Sequence, residues 1–370
     1  MCHSRHKCKC SARNLPEPEL PPYELFQTSG NAILPTGVII PAKLAVITKG
    51  NPNNPMALCI PGNVDGFFSF RFLMDHLVNK GYYFVSLTER GNSPSETPLQ
   101  PLPPLGTAIL YSIQDVLEIA LSKGLGNNPH NDGKNIMLGN DFGAIIMQVL
   151  DGNVFPIFFP NRKIIKKMVS TANIAPLPMI FELQVNGPPF EFLQAQWYQN
   201  FANISTNRLN TATTSSNAFE QDLSIEIYKP GRGGIATFKD VLKKQFAGKA
   251  NKKDFEYEWE NNWKPGVYDN FVNNITIGNT FYTDLYAGPY PEVTQPGNTV
   301  TKALYVYGTK DGAVPWIQAF GKKEVIKRTK NPFNTPAGAD VYIIDCAGHF
   351  PLLLSTNEIN PVILKFVGNA

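Results

Sequence analysis

The chain has 370 residues, 43% of them hydrophobic and 17% charged, an ordinary globular composition with ample material for a large core. Its formal net charge is +3 and the charges are scattered, so composition gives no case for a nucleic-acid-binding face. No apolar run approaches the roughly 20 residues of a membrane span, and the opening stretch MCHSRHKCKCSARNLPEPELPPYE lacks the apolar segment of a secretory signal.

Of five cysteines, Cys2, Cys8 and Cys10 sit in the first ten residues, together with His3 and His6. Structural zinc ligands come as spaced pairs framing a small fold, and no fold surrounds these, so residues 1–20 read as a flexible basic tail. Cys59 and Cys346 lie in apolar, strand-like runs and read as buried thiols. An odd cysteine count without a signal points to a reducing, cytoplasmic setting. There the sequons at Asn203-Ile-Ser205 and Asn274-Ile-Thr276 would carry no sugar.

In chain order, β-rich runs fall at 38–47, 57–60, 82–87, 135–138, 167–170, 303–307 and 341–344. Helical patterns fall at 66–80, 111–122, 142–150, 315–328 and 351–367. This alternation predicts an α/β fold with a mostly parallel sheet and helices on both faces, since several strands are near-continuous apolar runs. The stretch 173–288 breaks the rhythm, being rich in Asn, Thr, aromatics and charge. It reads as a helical cap inserted into a core made of 21–172 and 289–370, or alternatively as an independent second domain. Insertions at the carboxyl ends of parallel strands are where ligands bind.

Three loops carry the chemistry. The run Asn135–Leu138 enters Gly139-Asn140-Asp141-Phe142-Gly143 and then an apolar helix: strand, tight turn, helix. Such a turn exposes its central side chain at the top of a sheet, and its small flanking residues allow backbones to approach closely. Asp141 is thus either a nucleophile or a helix cap. The strand at 303–307 leads into a loop with Asp311, and the strand at 341–344 into a loop with His349. Nucleophile, acid and histidine follow the chain order described for α/β-hydrolases.

On these residues the chain resembles the α/β-hydrolase superfamily and, within it, the epoxide hydrolases, from about Pro55 to the C-terminus. Cys59-Ile-Pro-Gly-Asn-Val64 looks like the family's oxyanion loop, HGxP, with Pro61 for its His and Val64 for its Pro. Glu89-Arg-Gly-Asn-Ser-Pro-Ser95 looks like the arginine–glycine turn that follows. Trp197-Tyr198-Gln199-Asn200-Phe201 and Asn279-Thr-Phe-Tyr282 look like the two cap-tyrosine motifs. The elbow departs from the family at Asn140, usually His, and at Phe142, usually Trp.

The resemblance implies an epoxide hydrolase with no metal or organic cofactor, acting on a small apolar epoxide and water, a homodimer being allowed. Asp141 would open the ring and become an ester. His349, oriented by Asp311, would activate water against that ester. Backbone N–H groups of Phe142 and Asn63 would receive the oxyanion, and Tyr198 and Tyr282 would donate to the departing oxygen. A haloalkane dehalogenase would also use an aspartate on this fold but needs N–H donors for halide, which Phe142 lacks. A serine-type esterase is disfavoured by the elbow, and a binding protein that has lost turnover stays open.

Overall fold

A computed structural model describes residues 16–29, 41–62, 65–96, 108–186, 239, 243, 252–264 and 299–370. Its centre is an eight-stranded sheet: β1 (Glu24–Gln27), β2 (Lys43–Lys49), β3 (Met56–Ile60), β4 (Tyr83–Leu87), β5 (Asn135–Asn140), β6 (Ile165–Thr171), β7 (Ala303–Gly308) and β8 (Ala339–Ile344). The order is β1-β2-β4-β3-β5-β6-β7-β8, antiparallel where β2 meets β1 and β4, and parallel across the rest. The predicted α/β class and mostly parallel sheet are therefore present.

The parallel strands read as unbroken apolar runs because both faces are covered. Alternate residues of β3 divide between two cores: Ala57 and Cys59 face one, Met56, Leu58 and Ile60 the other. The first core is closed by α1 (Arg71–Asn79) and the C-terminal helix Thr356–Val367, through Leu73, Leu77, Ile359 and Ile363. The second is closed by α2 (Ala108–Ser122) and α3 (Phe142–Val149), through Ile113, Leu117, Ile146 and Val149.

The differences from sequence expectation are local. β1 was not foreseen, being a four-residue edge strand with three exposed positions and hence no burial pattern to read. The helix expected over 315–328 is two helices, Trp316–Phe320 and Lys322–Thr329, separated by Gly321 at φ 78°. That over 351–367 breaks at Ser355 into Pro351–Leu354 and Thr356–Val367. Cys59 is a buried free thiol, its pKa pushed up by burial. Cys346 is not a thiol: it is half-buried and disulfide-bonded to a partner outside the described residues. Among the described residues no helix is long and apolar enough to cross a membrane.

Of the stretch 173–288, the described parts include helix Leu177–Asn186, helix Lys252–Glu258 and the π-helical turn Trp259–Trp263. The last two are fastened to the core by a buried ion pair between Arg71, 3% exposed, and fully buried Glu258. Arg71 also donates to Glu17 Oε2 at 3.0 Å and to the Phe68 carbonyl at 3.1 Å, so one guanidinium joins three segments. Where the chain returns to the sheet, Asp151 accepts from the backbone N–H groups of Val300 and Thr301 and from the Thr301 hydroxyl. Replacing Arg71 by Met would strand the Glu258 carboxylate without its buried cation. Denaturant unfolding should show a loss of roughly 3–5 kcal/mol, most of it recovered when Glu258 is also made apolar. A single variant as stable as the parent would show that the pair contributes nothing.

Candidate active site

Asp141 closes the turn between β5 and α3 at φ 49° and ψ −124°, a backbone that side-chain-bearing residues rarely adopt. Packing on both sides holds it there. A Cβ at Gly143 would sit 2.2 Å from the carbonyl oxygens of both Ile60 and Pro61, and one at Gly139 2.3 Å from the Cα of Ala144. The loop after β3 presses just as closely, for a Cβ on Gly62 would lie 2.5 Å from the Cβ of Asp141. Asp141 occupies the N-cap position of α3 but makes no side-chain capping bond to it. Its carboxylate meets His349 instead, with Oδ1 3.2 Å from Nε2.

The other face of the imidazole meets Asp311. His349 Nδ1 lies 2.9 Å from Oδ2 and 3.1 Å from Oδ1 of that fully buried residue. The Asp311 loop is fixed by its own backbone, since Oδ1 also accepts from the N–H groups of Ala313 and Val314 at 2.8 and 2.9 Å. Asn173 pins the base of this loop. Its Nδ2 donates to the carbonyls of Val314 and Gly308, and its Oδ1 accepts from the Gly308 N–H. Asn173 sits at φ 57°, a left-handed conformation that Asn tolerates well. In the sequence it looked like nothing more than the first residue of the insertion.

Burial alone would drive the His349 proton off, but the charges and hydrogen bonds of Asp311 and Asp141 outweigh it and raise the pKa to about 10. The ring thus stands between two carboxyl groups that both favour its protonated form.

A third carboxyl, Asp65, was missed. It is buried just after the oxyanion-loop stretch and takes hydrogen bonds from Asn140 Nδ2 at 2.9 Å and from the Trp263 indole N–H at 3.3 Å. Burial, reinforced by the Asp141 charge and opposed by the Ser69 hydroxyl, the Trp263 indole and the His349 charge, pushes its pKa up to about 7. Asn140, the elbow residue that departs from the family, thus has a task. Its Oδ1 accepts from the Thr171 hydroxyl at 2.8 Å while its amide holds Asp65. Asp65 gave no signal because its partners lie 75 and 198 residues away in the chain. Trp263 also packs its ring 4.7 Å from that of Phe350, the neighbour of His349.

The structure therefore brings together Asp141, His349 and Asp311, with Phe142 buried at the first position of α3. Asn63, Tyr198 and Tyr282 lie outside the described residues.

A family model described as alpha/beta hydrolase fold matches residues 58–356. The chain belongs to the α/β-hydrolase fold family. Similar solved structures include a metagenomic epoxide hydrolase from hot environments, 15% identical, covering 94% of this chain and 99% of its own at a TM-score of 0.61. A laboratory-evolved variant of potato epoxide hydrolase is 18% identical, with 93% and 98% coverage and a TM-score of 0.59. An esterase from Exiguobacterium antarcticum is 13% identical, with 88% and 96% coverage and a TM-score of 0.51. At such identities these likenesses speak for the fold alone. A search of curated protein sequences finds no match.

The protonation of His349 in this α/β-hydrolase is directly testable. Its pKa of about 10 lies above the unperturbed 6.5, so its stabilising contribution is complete below pH 6.5 and is lost as pH rises through 10. Nitrogen-15 NMR of labelled histidine, assigned with a His349→Gln variant, should find the ring still protonated at pH 8. Asp141→Asn should lower that pKa by removing one of the two anions. A ring that titrates near 6.5 in both proteins would refute the charge arrangement.

Proposed function

We propose that this α/β-hydrolase opens an epoxide to a vicinal diol through a covalent ester on Asp141. The observation that carries the reading is a carboxylate, rather than a hydroxyl, at the strained elbow and 3.2 Å from His349 Nε2. A carboxylate is suited to displacement at an sp³ carbon, and its product is an ester that water must then cleave.

In the first step an Asp141 oxygen attacks a ring carbon, the C–O bond breaks, and the ring oxygen leaves as an alkoxide that needs a proton. Tyr198 and Tyr282, on a helical cap spanning 173–288 above a core of 21–172 and 289–370, are the proposed donors. A phenol of pKa about 10 is matched to a nascent alkoxide. Esterification removes one of the two anions that hold the His349 proton, so the imidazolium becomes a stronger acid and its proton passes to the alkoxide side. The neutral ring that results is the base the second step requires. It takes a proton from water, and the hydroxide adds to the Asp141 carbonyl carbon. Backbone N–H groups of Phe142 and Asn63 receive the oxyanion, collapse expels the diol oxygen, which takes the proton from His349, and the acid proton of the regenerated Asp141 carboxyl returns to the ring.

A halide-releasing reading has less support. Phe142 carries no N–H in its side chain, and the indole of Trp263 already donates to Asp65. A Ser-dependent esterase reading has no hydroxyl at the elbow.

Asp141→Asn should abolish steady turnover of any epoxide, checked in protein freed of deamidated material by mass spectrometry. His349→Gln should still be alkylated, so that intact-mass analysis after mixing with an epoxide finds an adduct at Asp141 that persists for many turnover times. Normal turnover by either variant would remove the proposed chemistry. Tyr198→Phe and Tyr282→Phe should each slow ring opening by on the order of 1–3 kcal/mol, and the double variant more. An activated ester, whose leaving group needs less help, should be slowed less than an epoxide. Equal slowing of both substrates with a lowered Tm would mean that the tyrosines only pack.

A further inference from the structure

The turn that follows β4 holds a carboxyl for which the proposed reaction has no use. Glu89 is 2% exposed, and its Oε1 has no hydrogen-bond partner. Its Oε2 receives only a long bond of 3.3 Å from the Ser112 hydroxyl. The adjacent cation is turned to another carboxyl, for Arg90 grips Asp115 with Nε and Nη2 at 2.6 and 2.7 Å and acts on Glu89 only through its charge. In the same tight turn, closed by the Asn92 N–H donating to the Glu89 carbonyl, Asn92 is 1% exposed and neither its Oδ1 nor its Nδ2 has a partner. Three buried polar atoms thus lack partners within four residues, in a fold where such atoms are nearly always satisfied.

Their position is informative. β4 and β5 flank β3, so the turn after β4 and the elbow after β5 share the carboxyl edge of the sheet two strand spacings apart, roughly 10 Å. Crevices at that edge are where open parallel sheets bind ligands. Burial, then the charge of Asp115 and that of Asp141, hold the Glu89 pKa well above its ordinary range, which favours the neutral acid. A neutral carboxyl offers one O–H donor and an acceptor, and the Asn92 amide offers both as well. A purely hydrocarbon substrate would satisfy none of them.

We propose that Glu89, with Asn92, is a specificity subsite that hydrogen-bonds an oxygen-bearing substituent of the substrate, a hydroxyl or an ether. Resting on the epoxide reading, the preferred substrates are then oxygenated epoxides rather than plain hydrocarbon ones. The same chemistry would also suit an ordered water, and the test separates the two.

Rates are compared for 1,2-epoxyhexane and 5,6-epoxyhexan-1-ol. The parent protein should favour the hydroxylated epoxide in kcat/KM. Glu89→Leu should lose that preference by about tenfold or more, and Glu89→Gln should keep most of it. Infrared difference spectra supply a readout without turnover. The parent should show a protonated-carboxyl stretch, absent in Glu89→Gln, that shifts with 1,2,6-hexanetriol but not with 1,2-hexanediol. A band unmoved by the triol means a buried water only and overturns the subsite, as does a carboxylate band in its place. Should Glu89→Leu fail to fold, Glu89→Gln and the band still decide. Should neither epoxide turn over while the triol shifts the band, the subsite stands and the epoxide reading falls.

Discussion

His349 lies between the half-buried Asp141 at 3.2 Å and Asp311 at 2.9 Å, and with the ring and Asp311 buried, an alternation of charge is what makes such a cluster tolerable. Much of the surrounding structure serves that alternation. The three groups come from loops after β5, β7 and β8, so the parallel sheet sets their spacing before any side chain is chosen. Asp311 is further held by two backbone N–H groups, and its loop by Asn173. The Asp141 carboxylate is aimed by a backbone conformation that the close contacts of Gly139 and Gly143 enforce. Removing either carboxylate would not merely delete a hydrogen bond; it would alter whether the imidazole carries its proton.

Asp65 extends this balance outward. It lies within reach of the charges of Asp141 and His349, and its pKa of about 7 leaves it close to the point where it ionises. The Asp141 charge raises that pKa and the His349 charge lowers it, so Asp65 becomes an anion most readily beside a protonated ring. Asn140 and Trp263 supply the donors that such an anion needs. Because Trp263 belongs to the stretch between β6 and β7, the electrostatics of the core are tied to residues packed over its face.

The legible part of this protein was the part whose signal is local. Strands covered on both faces announce themselves as apolar runs, and strand–turn–helix around Gly139 and Gly143 marks an elbow within nine residues. The order Asp141, Asp311, His349 needed only three such local readings. What escaped depends on contacts distant in sequence. β1 is a strand because β2 lies beside it, not because of its own pattern. Asp65 and Asn173 acquire their roles from partners up to 198 and 141 residues away. Cys346 looked like a core thiol because its preceding strand is apolar, yet it lies past the strand's end, in a turn at φ 68°. The helix breaks at Gly321 and Ser355 were also hidden, since hydrophobic spacing continues across them.

The elbow itself does not dictate what chemistry follows. Its backbone is shaped by glycine contacts and would present any side chain at position 141 to the same imidazole. The aspartate changes the problem by putting a permanent charge where a serine would be neutral. With a serine, His349 would face one anion and titrate lower, ready to act as a base at once. With Asp141 it faces two, and both favour the protonated ring. In the proposed reaction, attack by the carboxylate would consume one of these anions before the ring is asked to activate water. A site arranged in this way is suited to a substrate whose opening creates a strong base needing a proton, and poorly suited to one whose leaving group departs as a stable anion. For the proposed reaction, the three-membered ring meets that condition, since its opening leaves an alkoxide that must take up a proton.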